Sequence, residues 1–262
     1  MQLGMMNDPR KPPREEFAWA AQHGFEFVDF TLEPPSASAS AMQPELQSIR
    51  DTADQHGLGL IGHTAYYLPL ASPLEGLREA AVAEFTAAFD TFEALGVKRV
   101  NIHPQAMRPT VFSKEQVLAA HVEVLGRLAA AAVARGLRPM VENGPYGTLS
   151  TVGDFEALFA AVDGLGLHLD VGHANLIAPE NQTDCFLEAF ADRLLHVHFS
   201  DNMGPHVRDD LHLPLGTGSV AWPEVIEQLK AHGYDDTITL EVFSPDRRFL
   251  LLSRDKVLEW WG

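Results

Sequence analysis

Eight times along the chain, a short apolar run gives way to a polar loop and then to a stretch with apolar residues at helical spacing. No other feature restricts the fold as much, because strands that are apolar on both faces must be covered on both. The runs are MQLGMM at the start, FEFVDF (25–30), LGLIGH (58–63), RVNIH (99–103), RPMVEN (138–143), LGLHLD (165–170), LLHVHF (194–199) and TITLEV (237–242). The spacing between and after them predicts helices over 13–23, 43–56, 73–95, 113–135, 151–163, 181–192, 222–232 and 247–260. Several of these close on one signal: AAQHG at Gly24, ADQHG at Gly57, EALG at Gly96, VARG at Gly136 and KAHG at Gly233. Glycine just past a helix accepts the left-handed cap conformation, and a His or Arg before it suits the helix C-terminus. Eight strand–helix units in 262 residues predict an α/β fold, a (β/α)8 TIM barrel forming a single domain over 1–262. The one compositionally biased stretch, PPSASASAM (34–42), reads as a mobile loop after the second strand, on the active-site face.

Composition narrows the function. Hydrophobic residues make up 46%, enough for a sizeable core and too many for disorder. The lone cysteine, Cys185, leaves no disulfide within the chain, which fits a cytoplasmic protein. No basic, then apolar, N-terminal leader and no long uncharged apolar segment is visible, so a soluble protein with no membrane partner is expected. The net charge of −17, with only 19 Lys and Arg, argues against a duplex-binding surface, which needs clustered cations. Metal ions bound among the acids would be one way to make a face attractive to phosphate.

In such a barrel the chemistry sits at the C-terminal ends of the strands. The second strand ends near Glu33, the third at His63, the fourth at His103 and the fifth at Glu142. The sixth ends at Asp170 with His173 in its loop, the seventh at His198 with Asp210 and His212 in its loop, and the eighth at Glu241. One such residue alone reads as a solvated group or a helix cap. Six consecutive strands ending in His, Asp or Glu read as a metal site, since crowded acids and imidazoles need a cation to satisfy them. Mixed imidazole and carboxylate ligands suit Zn, Mn or Co rather than Ca. His23, His56 and His232 fall at helix ends, His121 lies within a helix, and His168 and His196 sit two residues before a proposed ligand, one layer deeper on the inner side.

The motifs NIHP, VENGP, LDVGHAN, HVHFSDN, DLHLPLGTGSVAW and ITLEVF, in this order over essentially the full length, resemble the xylose isomerase-like barrel superfamily, which includes the apurinic/apyrimidinic endonuclease IV family. HTAYYLPLASP, from His63, is especially similar to the third-strand motif of the endonucleases. For the sugar isomerases and epimerases the resemblance implies one divalent ion held by Glu142, Asp170, His198 and Glu241. For the endonucleases it implies three zinc ions, with His63, His103, His173, Asp210 and His212 as further ligands. The chain departs from the endonuclease pattern in its acidity, its tight loops and a second-strand loop without basic or aromatic residues; Tyr66 and Tyr67 could play part of the role of the side chains that the endonucleases insert into damaged DNA.

The first expectation is therefore a divalent-metal-dependent sugar, sugar-phosphate or polyol isomerase or epimerase, acting on a small sugar-like molecule. Glu142 and Glu241 would be its catalytic residues, and His173, Glu33 and Tyr66 would bind substrate. The alternative is a zinc phosphodiesterase acting at abasic sites in DNA. Arg108, Arg208, Arg247 and Arg248 lie in loops on the right face for a phosphate, each with a solvated rim charge as the plainer account. VLEWWG at the C-terminus reads as the seal of the last helix, with a contact between copies in a homo-oligomer as the alternative.

Overall fold

The computed structural model describes residues 1–104, 111–207 and 209–262, so Arg108 and Arg208 lie outside the described residues. Eight strands, β1 (Gln2–Met6), β2 (Phe27–Leu32), β3 (Gly59–Thr64), β4 (Arg99–Ile102), β5 (Arg138–Glu142), β6 (Gly166–Asp170), β7 (Leu194–Phe199) and β8 (Thr237–Leu240), close into one barrel in sequence order. Every pairing is parallel, including β1 with β8. The helices are α1 (Pro13–Gln22), α2 (Ala39–Met42), α3 (Leu46–His56), α4 (Glu75–Ala94), α5 (Lys114–Val133), α6 (Val152–Ala161), α7 (Val171–Ala174), α8 (Thr183–Phe190), α9 (Trp222–Ala231) and α10 (Arg248–Trp261). The expected (β/α)8 architecture is the observed one. The stop signals work as anticipated: Gly57 caps α3 with φ 64, a left-handed value that costs a residue without Cβ little.

Two parts of the chain differ from expectation. The 34–42 stretch is not a plain loop. Ser38 caps α2 by accepting a hydrogen bond from Ala41 N, and Ala37 and Met42 are buried in the core. The second is α7, a single turn directly after β6, begun by the Asp170 side chain accepting from His173 N at 2.6 Å. A ligand-type carboxylate thus also acts as a helix cap, a role a sequence pattern does not separate from metal binding.

Alternation along the strands sorts the barrel into an outer and an inner layer. Phe30 of β2 packs edge-on against Phe17 of α1, ring centroids 5.3 Å apart, whereas Asp29 beside it points into the barrel toward His196 and His198. Inside, Phe27, Ile61 and Met140 form a small apolar cluster separate from the main strand–helix core. Polar residues fill the space beyond it. Among the described residues α5 is long and apolar enough to cross a membrane by length and composition. It lies instead as a barrel helix, with Val117, Val124, Leu125 and Leu128 buried.

The loop after β7 carries two of the expected site residues, and Asp201 at its start holds it in shape. This buried carboxylate accepts from Asn202 N (2.9 Å), Val220 N (3.2 Å) and the Trp222 indole (3.0 Å), as well as from Gly216 N and Gly218 N. A Cβ on Gly218 would stand 2.2 Å from Asn202 O, so the loop closes on itself only with glycine there. Asp201→Ala strands three buried donors, each worth about 1–3 kcal/mol when unpaired. Chemical denaturation is expected to show a loss of at least about 3 kcal/mol. A loss under about 1 kcal/mol would show that the loop does not depend on this residue.

Candidate metal centre

Strands β3 to β8 bring His63, His103, Glu142, Asp170, His198 and Glu241 to one end of the barrel. The register sets neighbours level: Asp170 pairs with His198 across β6 and β7, and His198 with Thr239 across β7 and β8. Ligand atoms of Glu142, Asp170, His198 and Glu241 all lie within 4.8 Å of one another, and all four residues are buried. His198 Nδ1 stands 2.9 Å from Glu241 Oε2 and 3.9 Å from Asp170 Oδ2.

Two further groups flank this one. His63 Nε2 and His103 Nε2 stand 3.5 Å and 3.7 Å from the two Glu142 oxygens. On the other side, Asp210 Oδ2 lies 2.9 Å from His173 Nε2 and 3.1 Å from His212 Nε2. His212 holds φ 44, the only positive value on a non-glycine residue among those described. Such a conformation costs energy unless the surroundings enforce it, and it is typical of functional sites. Every metal-type residue anticipated from the sequence is therefore in one contiguous cluster.

Several residues with no signature of their own hold the cluster. Asn101, on the inner face of β4, donates from Nδ2 to Glu142 Oε2 at 2.6 Å. Asn143 bonds both the N–H and the C=O of Asp170, and its own carbonyl receives His173 Nδ1 at 2.8 Å. That bond takes the proton on Nδ1 and turns the Nε2 of His173 toward Asp210. Asp29, wholly buried on β2, sits behind His198 with Oδ2 2.6 Å from Nε2. The signal for Asp29 was available, as a lone acid inside an apolar strand, in step with Thr31 and Glu33 on the inner face.

The electrostatics are those of acids and imidazoles crowded out of water. Burial pushes the Asp170 carboxyl up to about 7, with the Glu241 and Glu142 carboxylates adding to the rise. For Glu142 burial opposes charge, yet His103, His168 and His63 outweigh it and hold the carboxyl well below the usual range. For His212 burial again works against charge, and the Glu241 and Asp210 carboxylates lift it to about 9. Among the described residues, several buried atoms have no hydrogen-bond partner: Asp170 Oδ2, Asp210 Oδ1, His212 Nδ1 and both ring nitrogens of His63. Each such atom costs about 1–3 kcal/mol. Imidazole nitrogens and carboxylate oxygens are the donors that Zn, Mn and Co accept, and the residues present fit such an ion.

The rim carries the remaining residues singled out from sequence. Glu33 is half-buried beside Thr31, whose hydroxyl donates to it at 3.0 Å; burial raises its carboxyl. Tyr66 is exposed, with its ring 6.0 Å from that of His103. Arg247 pairs with Glu16 and lies over the Trp19 ring, and Arg248 pairs with Asp246, so both guanidinium groups are engaged by side chains of the protein. His206 is exposed in the β7 loop.

Compared with known proteins, the sequence matches the family described as xylose isomerase-like TIM barrel over residues 17–260. It is 26% identical over 230 residues to an uncharacterised protein of Methanocaldococcus jannaschii, covering 84% of this chain and 76% of that one. Among solved structures it is similar to a D-tagatose 3-epimerase-like protein, with TM-score 0.86, 24% identity, and 99% and 97% of the two chains covered. It is also similar to the IolI protein solved with a zinc atom, with TM-score 0.84, 18% identity, and 100% and 98% covered. A third is the D-allulose 3-epimerase from Methylomonas sp., with TM-score 0.81, 20% identity, and 100% and 98% covered. At these identities the likeness is one of fold.

Proposed function

The chain belongs to the xylose isomerase-like TIM barrel family, and from that premise we propose that it is a divalent-metal-dependent isomerase or epimerase acting on a small sugar-like substrate. The observation that carries this is the convergence of Glu142, Asp170, His198 and Glu241, with ligand atoms inside 4.8 Å, at the end of the barrel where this architecture places its chemistry. That similar folds include a D-allulose 3-epimerase and a D-tagatose 3-epimerase-like protein agrees with it.

Glu142, Asp170, His198 and Glu241 would hold the divalent ion, which would supply Lewis acidity toward a substrate carbonyl and its neighbouring hydroxyl. The chain's own residues do the proton chemistry. Glu142 and Glu241 come from strands separated by β6 and β7, so they address the substrate from different sides. One carboxylate takes the proton from the carbon next to the carbonyl; on the opposite face the other delivers a proton drawn from solvent, inverting that carbon. Asn101 holds Glu142 in a single orientation through its 2.6 Å bond. His173, fixed by Asn143, binds a substrate oxygen, and Glu33 and Tyr66 contact the substrate at the rim.

The test is incubation with Mn, Co or Zn and a panel of ketoses, inososes and their phosphates in D2O. The expected result is a new epimer or isomer carrying one solvent deuteron next to the carbonyl. A full panel with no exchange at any carbon would discard the proposal.

One observation favours a second reading, a zinc phosphodiesterase acting at abasic sites. His173, Asp210 and His212 form a group as tight as the central four, and His63 and His103 stand 3.5 Å and 3.7 Å from the Glu142 oxygens. Clustered metals can clamp the attacking and leaving oxygens of a phosphodiester. Metal analysis separates the two. One ion per chain supports the isomerase; three ions, together with cleavage of an abasic oligonucleotide, support the phosphodiesterase. The charge of −17 weighs toward the first.

A further inference from the structure

The imidazole of His198 has two nitrogens, and only one can offer a lone pair to an ion. Nδ1 faces Asp170 and Glu241. Nε2 faces the barrel interior, 2.6 Å from Asp29 Oδ2. Asp29 arrives from β2, 169 residues away in sequence, and is fully buried. The same oxygen is approached by His196 Nε2 at 3.2 Å and Thr239 Oγ1 at 3.2 Å, and His196 is pinned from behind by Thr237 Oγ1 at 2.8 Å.

The 2.6 Å contact, with two further groups meeting the same Asp29 oxygen, gives Nε2 its partner inside the barrel. The nitrogen that remains to offer an ion its lone pair is Nδ1, which faces Asp170 and Glu241 in the central cluster. His168, His196 and His198 could also be viewed as a deeper metal group. Against that, His196 has both nitrogens on Asp29, Thr237 or Thr239, and His198 has both on Asp29 or Glu241. An ion there would have to displace the Asp29 contacts.

We infer that Asp29 is a positioning residue: it fixes the tautomer and aim of His198 and so sets how tightly the site holds its ion. Outer partners of this kind are worth about 10- to 100-fold in metal affinity. The inference rests on the metal-dependent proposal above and goes beyond it by placing a determinant of affinity on a strand that supplies none of the four ligands.

The experiment uses Asp29→Asn, which keeps shape and removes charge. Zn and Mn affinity are measured by competition with a chromophoric chelator, and the protonation of the His198 ring by 15N NMR of the metal-free chain. The parent is expected to show the Nε2-protonated tautomer. The variant is expected to bind about 10- to 100-fold more weakly and to lose the single tautomer. Unchanged affinity overturns the inference. So does weaker binding with His198 still protonated on Nε2, because the carboxylate would then act only on the shape of the core. If Asp29→Asn does not fold, Thr239→Val carries the test. It leaves Asp29 charged and removes one contact, with an expected weakening of about 2- to 10-fold and refutation by none. A parent chain that binds no divalent ion removes the metal proposal and this inference together; tight binding by both parent and variant removes this one alone.

Discussion

Glu142→Gln is expected to lower turnover by about 10²- to 10⁴-fold, the usual worth of a positioned proton-transfer group. The effect is large because one side chain serves so many neighbours. Its carboxylate accepts from Asn101 at 2.6 Å and lies 3.3 Å from His173 Nδ1, 3.5 Å from His63 Nε2 and His168 Nδ1, and 3.7 Å from His103 Nε2. Glutamine keeps the volume but can neither take a proton nor offer a charged oxygen. The histidines around it then lose the charge that balances them, so metal affinity is expected to fall with turnover. Steady-state kinetics on the identified ketose, with a chelator competition on the same preparation, check both. A variant that keeps the parent's metal affinity would contradict the isomerase and phosphodiesterase proposals alike, since both place Glu142 on an ion.

The second large effect is on stability. The centre places three carboxylates and an imidazole within 4.8 Å out of water, with Asp170 raised to about 7 by burial and by its acidic neighbours. A cation relieves that repulsion in the folded chain and has no preformed site in the unfolded one. Free ion at about 1,000 times its dissociation constant therefore adds about 4 kcal/mol. For a chain of this size each kcal/mol moves the melting temperature by about 2–4 °C, so the rise is on the order of 10 °C. Thermal melts in Zn, Mn and Co against EDTA measure it. A midpoint that no ion shifts would mean the cluster is a hydrogen-bonded core and not a metal site.

Much of the fold was legible because it is written locally. Periodicity marks the strand and helix stretches, and glycines such as Gly57 end helices through their own backbone freedom. The exit residues His63, His103, Glu142, Asp170, His198 and Glu241 were legible for a related reason. A parallel barrel sends every strand's C-terminal end to one rim, so position along a strand becomes position in space. The supporting residues were not legible. Asn101 and Asn143 read as ordinary polar residues at strand ends, and the pattern does not show that Asp170 caps α7 as well as facing the cluster. The 34–42 stretch misled because Ser and Ala suit a loop as well as a capped helical turn.

The sequence by itself determined the barrel, the rim and the types of side chain on it, because each depends on contacts between residues near in the chain or on the symmetry of repeated units. Only the tertiary structure decided which nitrogen of His198 faces the centre and which acid stands behind it. Asp29 and His198 are 169 residues apart and meet only when the barrel closes. Their 2.6 Å contact is a property of closure, where burial makes an ionised carboxylate depend on every donor within reach.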